Sequence, residues 1–211
     1  EKVKIEIIKT SGDKFLNTSL SKIGGKGLFT KEIQQALIDK RIDIAVHSMK
    51  DVETELPEKL VISTILKRED VRDSFISRKY SSIVELPLGS IVGTSSLRRK
   101  AQLLNKRKDL KVVEFRGNVQ KRLEKLDNNV AVATFLATAG LNRLGLEELN
   151  NPIPTDEMLP AVAQGAVGIE HLQSEKIEEF LAPLNDSVSK KRVEAERAFL
   201  QELDGSCRTP I

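Results

Sequence analysis

The chain has 211 residues, of which 39% are hydrophobic, so it is long enough to bury a large core and is not a disordered tail. Its 34 basic residues only slightly outnumber its 31 acidic residues, and this mixed surface does not predict a basic tail for nucleic acid. Aromatic residues make up only 4% of the chain and tryptophan does not occur, which disfavours binding of single-stranded nucleic acid by base stacking.

The elements predicted along the chain alternate between short β-branched strands and segments of helical periodicity. The predicted strands cover residues 42–46, 90–92, 111–115 and 130–135. The predicted helices cover residues 31–40, 97–105, 119–126 and 187–203. This alternation predicts an α/β fold with mixed, mainly parallel sheets. The most apolar stretch, residues 130–141, is shorter than the ~20 residues that a membrane-spanning helix requires, so we expect it in the core and predict no membrane partner.

Two proline-containing joints, at residues 85–89 and 150–154, enclose the middle block of strands and helices. We interpret them as crossovers between two domains. The first domain is then discontinuous, with residues 1–86 and 156–182, and the second holds residues 88–154. A cleft between two such lobes is a natural place for a small ligand.

Arginines follow the predicted strands of the middle block. Arg98 and Arg99 come after strand 90–92, Arg116 directly follows strand 111–115, and Arg143 lies beyond strand 130–135. Ligands of open α/β sheets bind at the carboxyl ends of the strands, and guanidinium groups bind carboxylates or phosphates in bidentate fashion. This placement favours ligand contact over a plain solvated basic surface.

Residues 94–96 are two serines and a threonine that suit the N-cap of the following helix, so we expect Arg98 and Arg99 in its first turn. The helix dipole disfavours cations at that position. We therefore expect an anionic group to offset them, and the sequence predicts an anion site at this helix N-terminus.

The segment Gly24–Gly27 contains Lys26 but does not match a phosphate-binding loop. No serine or threonine follows the lysine, and the first glycine of that motif is missing. We expect no nucleotide at this segment and interpret it as a turn or lid from which Lys26 reaches toward an acidic ligand.

Polar residues 47–51 follow the predicted strand 42–46, and Asp51 would face the same cleft as the arginines. The alternative is a surface ion pair between Lys50 and Asp51, which contributes little to stability. His47 and His171 are the only histidines, and with one cysteine they form no cluster spaced for a metal, so we predict no metal. We expect His47 to donate a hydrogen bond to a backbone carbonyl.

Cys207 is the single cysteine, and it lies in a turn-rich segment beside Arg208, a cation that lowers thiol pKa values. An inert thiol is the alternative, since the sequence shows no base to pair with it. A single cysteine forms no internal disulfide, and the residues near Glu1 do not resemble a signal segment, so we expect a reducing cytoplasm.

Five motifs in order resemble those of the porphobilinogen deaminase family. They are residues 23–29 (IGGKGLF), 45–51 (AVHSMKD), 93–99 (GTSSLRR), 115–119 (FRGNV) and 205–207 (GSC). The resemblance runs along almost the whole chain. It implies an enzyme that joins porphobilinogen units head to tail on a dipyrromethane cofactor, with loss of ammonia, and releases hydroxymethylbilane.

The resemblance also implies a role for each site residue. The Cys207 thiol holds the cofactor through a thioether, and Asp51 contacts pyrrole N–H groups and stabilises the positive azafulvene-like intermediate. The remaining cofactor contacts it implies are Ser48, Lys50, Thr94, Ser96, Arg98, Arg99, Arg116, Gly117 and Gln164. Arg122, Arg143 and Lys26 are expected to bind the acetate and propionate groups of the substrate.

The fold implied by the resemblance consists of two lobes like those of type II periplasmic binding proteins, followed by a third α+β domain that starts at residue 183 and includes residues 183–211. A cytoplasmic monomer is expected. The family usually opens with a strand bearing an arginine and a serine and continues well past the cysteine, so we expect the chain to lack terminal regions of the family. The family also usually has glycine where this chain has Ala163.

Two other functions stay open from the sequence. A non-enzymatic, two-lobed receptor for a small polyanion would use the arginines but not Cys207. A nucleic-acid-binding protein would show affinity that falls steeply with salt, although the chain has no helix-turn-helix or RNA-binding signature.

Overall fold

The computed structural model describes residues 3–11 and 30–203, which form two β-sheets with helices packed around them. The first sheet contains β1 (Ala45–Ser48), β2 (Leu60–Ile65) and β7 (Val167–Leu172), with β7 in the centre and antiparallel to both neighbours. Helix α1 (Lys31–Ile38) packs on this sheet, where Leu37, Ala45 and Leu60 form a buried cluster.

The second sheet has four strands in the order β3, β6, β4, β5. These are β3 (Asp73–Ser77), β4 (Ile91–Gly93), β5 (Lys111–Val113) and β6 (Ala133–Ala137). The three later strands are parallel, and β3 runs antiparallel to β6. Consecutive residues of a strand point to opposite faces, so Phe135 and Leu136 of β6 enter two separate buried clusters.

The helices of the second lobe return the chain between its parallel strands. They are α2 (Leu97–Lys106), α3 (Val119–Asp127) and α4 (Thr138–Arg143). Leu103 of α2 packs with Phe135 on one face of the sheet, and Leu126 of α3 packs with Phe115 on the other. This arrangement turns the carboxyl ends of β4, β5 and β6 toward the same edge of the sheet.

Two segments, residues 66–72 and 150–166, carry the chain between the sheets, and they touch each other. Arg68 Nε donates to Gln164 O at 2.9 Å, and Glu69 N donates to Gly165 O at 3.2 Å. Gly165 has a φ of 84°, and a Cβ there would lie 2.7 Å from Glu69 O, so only glycine permits this approach. The paired crossovers form the hinge region between the two lobes.

The C-terminal helices of the described chain are α5 (Glu175–Leu181) and α6 (Ser187–Glu202). Asp186 caps α6 by accepting from Ser189 N at 2.7 Å. Glu196 of α6 holds the crossovers, because its carboxylate pairs with Arg68 and also accepts from Ala163 N at 2.7 Å. Three short 3₁₀ turns complete the described elements: Met49–Asp51, Glu147–Leu149 and Ala182–Leu184.

The predicted α/β class with two lobes is confirmed, and the four predicted helices are present with ends that differ by one or two residues. The predicted preference for parallel pairing is wrong for the described strands, since three of the five pairings are antiparallel. The first strand begins at Ala45, later than predicted, because Arg41 N and Ile42 N bond back to Ala36 O and extend the turn after α1.

The predicted domain boundaries stay predictions, but the sheet pairing argues for a different first crossover. Residues 73–77 pair with β6 of the second sheet, although they precede the joint predicted at residues 85–89. A boundary within residues 66–72 accounts for this pairing better than one at residue 87. The third domain, predicted from residue 183, is represented among the described residues by α6 and the turn before it.

Candidate functional site

The first lobe contributes the Met49–Asp51 turn, which directly follows β1. Met49 is buried, and its N–H donates to Ala166 O at 3.0 Å. Its side chain fills the space under Gly168 of β7, where a Cβ would lie 2.2 Å from Met49 Sδ. The fixed Met49 determines where the next two residues, Lys50 and Asp51, stand at the edge of the lobe.

The residues after Asp51 are held by Arg197 of α6. Its Nη1 donates to Val52 O at 2.9 Å and its Nη2 to Glu53 O at 2.5 Å. Burial lowers the pKa of Arg197, and the charges of Glu170 and Glu53 oppose this shift. The Met49–Asp51 turn is therefore anchored on one side by β7 and on the other by α6.

The second lobe contributes the first turn of α2, as the sequence predicts. Ser96 is the N-cap, with its Oγ accepting from Arg99 N at 3.3 Å, and Thr94 Oγ1 accepts from Ser96 N at 3.2 Å. Both predicted polar residues thus shape the helix start. Arg98 and Arg99 lie in the first turn, and both are nearly fully buried.

The anion beside Arg98 and Arg99 is Asp73, the first residue of β3. Its Oδ2 lies 2.8 Å from Arg98 Nη1, and its Oδ1 accepts from Arg99 Nη2 at 2.7 Å. Burial would raise the pKa of Asp73, but attraction and hydrogen bonding by Arg99 and Arg98 outweigh it and hold that pKa well below its usual range. The cations at this helix start are therefore offset within the protein, and their position alone does not require a ligand.

Gln164 also belongs to this cluster. Its side-chain amide donates to Asp73 Oδ1 at 2.9 Å and to Val71 O at 2.8 Å, so it joins the second crossover to the first. Arg99 is tied further to the second sheet by a bond from its Nη1 to Phe135 O at 2.9 Å. Gln164, predicted as a cofactor contact, is placed against Asp73, the carboxylate that pairs with the two arginines.

The loop after β5 supplies Arg116 and Gly117, and the helix α3 that follows it supplies Arg122. Phe115 is fully buried against Gly93, where a Cβ would lie 2.3 Å from the ring. Gly117 has a φ of 122°, and its carbonyl accepts from Arg122 Nε at 2.8 Å. Asn118 then caps α3 by accepting from Lys121 N at 2.9 Å. This loop brings the Arg122 guanidinium back to the carboxyl edge of the sheet.

The two lobes meet electrostatically at this edge. Burial lowers the pKa of Lys50, and the charges of Asp51, Arg99, Asp73 and Arg122 also act on it. Burial lowers the pKa of Arg122 to about 10, with repulsion from Arg99 and Arg116 adding to the shift and attraction from Asp51 opposing it. The interlobe cluster, as we call it, comprises Lys50, Asp51, Asp73, Arg98, Arg99, Arg116 and Arg122. Its five cations face two carboxylates, so it suits an acidic ligand.

Two predicted site residues are placed differently. Ser48 ends β1 with its side chain exposed. Arg143 is exposed, donates from Nη2 to Gly165 O at 3.0 Å, and does not act on the pKa of Lys50 or Arg122. It lines an open cleft of about 540 Å³ beside the hinge together with Lys67, Glu69 and Glu147. Cys207 and Lys26 lie outside the described residues.

The expectation for His47 is wrong in its partner. Its Nε2 lies 2.8 Å from a carboxylate oxygen of Glu170, which also accepts from Gln34 Nε2 at 2.9 Å. His47 and Glu170 are both buried on the paired strands β1 and β7, which brings the carboxylate within hydrogen-bond distance of the imidazole. Within residues 3–11 and 30–203, no group of three acidic, His or Cys side chains is arranged to hold a metal ion.

Asp73 and Arg197 are the two charged site residues that the sequence reasoning missed. Asp73 opens a strand whose first four residues are buried, and a carboxylate at the start of such a strand signals a buried partner. Arg197 carries no such local signal, because its helix is rich in charged residues throughout. Among the described helices, none is long and apolar enough to cross a membrane.

Solved structures with the same fold define the class of protein. A YaeC-family lipoprotein from Enterococcus faecalis aligns with a TM-score of 0.51 at 14% identity, covering 82% of this chain and 81% of its own. A periplasmic substrate-binding protein of an ABC transporter from Coxiella burnetii aligns with a TM-score of 0.50 at 14% identity, covering 81% and 82%. The chain is thus a two-lobed α/β protein of the type II periplasmic-binding class, with a cationic cluster at the junction of its lobes.

Sequence comparison then identifies the family within that class. The protein-family sequence model described as porphobilinogen deaminase, dipyromethane cofactor binding domain, matches residues 1–179 of this chain. Porphobilinogen deaminase of Paracoccus denitrificans is 59% identical over 210 residues, covering 99% of this chain and 67% of the relative. The chloroplastic enzyme of Pisum sativum is 56% identical over 212 residues, covering 99% of this chain and 58% of the relative. The chain belongs to the porphobilinogen deaminase family and spans about three fifths to two thirds of these relatives' length.

Proposed function

We propose that the chain takes part in polymerising porphobilinogen head to tail, with loss of ammonia, to form the linear tetrapyrrole hydroxymethylbilane. The observation that carries this proposal is the interlobe cluster. Asp51 and Lys50 from the first lobe share one electrostatic environment with Arg99, Arg116 and Arg122 from the second. Asp73 is already paired with arginines, so Asp51 is the exposed carboxylate among many cations. This arrangement suits a substrate that is itself acid-rich but develops positive charge at its reacting carbon.

The cluster fits a dipyrromethane, the cofactor for which the family's domain is named. That group carries carboxylate side chains, and the guanidinium donors of Arg98, Arg116 and Arg122 are of the type that binds carboxylates in bidentate fashion. When bound, the cofactor supplies a free pyrrole carbon as the site to which the growing chain is attached. We propose Cys207 as its covalent attachment point.

Asp51 is proposed as the catalytic carboxylate. When ammonia leaves porphobilinogen, positive charge develops on the substrate, and a fixed carboxylate lowers the energy of that charge. The anchoring of its turn by Met49 and Arg197 keeps Asp51 in place before the charge appears. Asp51 is exposed at the cleft edge, which leaves its oxygens accessible to pyrrole N–H groups.

The other site residues have binding or shaping roles in this proposal. Arg98, Arg99, Arg116 and Arg122 neutralise acetate and propionate groups, with Lys50 as a fifth cation. Thr94, Ser96, Gly117 and Gln164 hold those arginines in place through the hydrogen bonds described above. Arg143 and Lys26 are proposed to bind carboxylates of the substrate, and Ser48 to contact the cofactor. We also propose that the protein works as a cytoplasmic monomer.

A non-enzymatic receptor for a small polyanion would account for the arginines as ligands of the anion, but it would not require the carboxylate of Asp51. The test is therefore the replacement of Asp51 with asparagine, which keeps the size of the side chain and removes its charge. Turnover of porphobilinogen should fall by about a hundredfold or more, the cost of losing one preorganised charge-stabilising group. Asp43→Asn, in the exposed turn before β1, is the matched control and should keep wild-type turnover.

Intact-mass measurement of the freshly purified chain tests the covalent attachment separately. An adduct on Cys207 that reacts as a pyrrole supports the enzyme. An unmodified thiol together with unchanged turnover in the Asp51→Asn variant would overturn the proposal and favour the receptor.

A further inference from the structure

We propose that Asp73 is a positioning residue for anion binding: its carboxylate orients the Arg98 guanidinium so that one edge of that group receives a carboxylate of the ligand. The inference rests on the proposed function, since it assumes that the interlobe cluster binds an acid-rich molecule. It assigns a task to a residue that touches the arginines and need not touch the ligand.

The Asp73 carboxylate is held rigidly from several sides. The residue is completely buried, pairs with Ala137 across β3 and β6, and accepts from Ile153 N at 2.8 Å through its carbonyl. Gln164 fixes its Oδ1 with a hydrogen bond of 2.9 Å. With Oδ1 fixed by Arg99 and Gln164, Oδ2 is directed at the Arg98 guanidinium and forms an ion pair with it, 2.8 Å from Nη1.

The nitrogen atoms of the Arg98 guanidinium differ in whether they contact the rest of the protein. Within the described residues, both internal contacts use Nη1, which lies 2.8 Å from Asp73 Oδ2 and donates to Leu159 O. Nη2 and Nε make no hydrogen bond to the described residues, and we assign this edge of the guanidinium to the ligand carboxylate. Arg99 is held differently, because Nη1 and Nη2 donate to Phe135 O and Asp73.

The charges of the cluster make this orientation depend on Asp73. Burial lowers the pKa of Arg98, and repulsion from Arg99 adds to that shift, while attraction by Asp73 opposes it. Without the carboxylate, two buried guanidinium groups on adjacent residues would repel each other with no anion between them. They would separate or turn to solvent, and the ligand would have to restore their arrangement on binding.

A double-mutant cycle between Asp73 and Arg98 tests the proposal. The probe is mellitate, a benzene hexacarboxylate without pyrrole rings, and its affinity is measured by calorimetry in a Cys207→Ser background so that no covalent group competes. Asp73→Asn and Arg98→Leu should each weaken mellitate binding by about tenfold, and the double variant should be no weaker than either. Asp70→Asn, which breaks the nearby pair of Asp70 with Arg72, is the control and should bind as the parent does.

Two results would overturn the proposal: parental affinity in Asp73→Asn, or losses that add up in the double variant, as a purely structural role for Asp73 predicts. If Asp73→Asn does not fold, Gln164→Leu decides, because it removes the hydrogen bond that fixes Asp73 and leaves every charge in place. Weaker mellitate binding by Gln164→Leu then supports the proposal, and unchanged binding contradicts it.

Failure of the proposed function gives a different result. Mellitate binding does not depend on turnover or on the thiol. The double-mutant cycle could therefore show coupling between Asp73 and Arg98 in a chain that forms no pyrrole adduct and consumes no porphobilinogen. That result would overturn the proposed function but not the role of Asp73. A chain that carries the adduct but shows no coupling would overturn only the role of Asp73.

Discussion

Replacing Gly168 with alanine tests whether the packing of Met49 positions the Lys50–Asp51 turn. The new Cβ would lie 2.2 Å from Met49 Sδ, 3.0 Å from Ile65 Cδ1 and 3.1 Å from Ile62 Cγ2. Since such atoms normally sit about 3.5–4 Å apart, Met49 would have to move by roughly 1.5 Å. The two residues that follow it would be displaced with it.

The effect on stability should be smaller than the effect on catalysis. Overpacking a core costs about 1–3 kcal/mol, and the lower entropy of alanine in the unfolded chain offsets about 0.4–1 kcal/mol of that. A displacement of about 1 Å in a catalytic group, however, reduces turnover by about a hundredfold. Gly168→Ala should therefore remain folded while losing most of its activity.

The assay compares kcat for porphobilinogen with the free energy of unfolding measured in urea. Gly140→Ala is the control, because a Cβ at Gly140 meets no atom within 4 Å and should leave both quantities close to those of the parent. Wild-type kcat in Gly168→Ala would refute the reasoning, since it would show that the Asp51 turn does not depend on the position of Met49.

Four further outcomes follow from three buried positions. Gly93→Ala, whose Cβ would lie 2.3 Å from the Phe115 ring, should destabilise the chain by about 1–3 kcal/mol in urea unfolding. Ala163 has a φ of 57°, which is strained for a residue with a Cβ, and Ala163→Gly should relieve about 1–2 kcal/mol of that strain. The lost methyl costs about 0.8 kcal/mol, and the greater conformational entropy of glycine in the unfolded chain also opposes the gain. The free energy of unfolding should therefore change by less than about 1 kcal/mol. Ala163→Val should instead lower the melting temperature sharply. The pKa of Asp73 is lower in the folded chain than in the unfolded chain, so its carboxylate stabilises the fold above the unfolded pKa of about 3.9. The free energy of unfolding lost in Asp73→Asn should be greatest above about pH 5 and should shrink as the pH falls below about 3.9. Urea titrations at several pH values measure this dependence.

The sequence predicted the second lobe better than the first because its strands and helices alternate regularly. Arg98, Arg99 and Arg116 follow parallel strands, and the structure places them at one edge, as the strand-end rule requires. The first sheet is assembled from β1, β2 and the distant β7, and no local pattern indicates that residues 167–172 return to pair between the other two. Long-range antiparallel pairing is set by packing partners that a linear pattern does not reveal.

The site shows the same division between local and distant information. The N-cap of α2 is local information, and residues 94–96 were predicted to supply it from their residue types. The pairing of Asp73 with Arg98 and Arg99 joins residues about 25 positions apart, and the capture of the residues after Asp51 by Arg197 spans far more. The sequence therefore indicated which cations gather at the sheet edge but not which internal groups hold them.

Among the described residues of the interlobe cluster, the five cations repel one another. The effect of salt on the stability of the cluster depends on whether an acidic ligand lies between these cations. In the unliganded protein, added salt screens like charges and should raise the melting temperature of the second lobe. With an acid-rich oligomer in the cluster, attraction dominates and the same salt should lower it. The direction of the salt response therefore reports whether the groove is occupied.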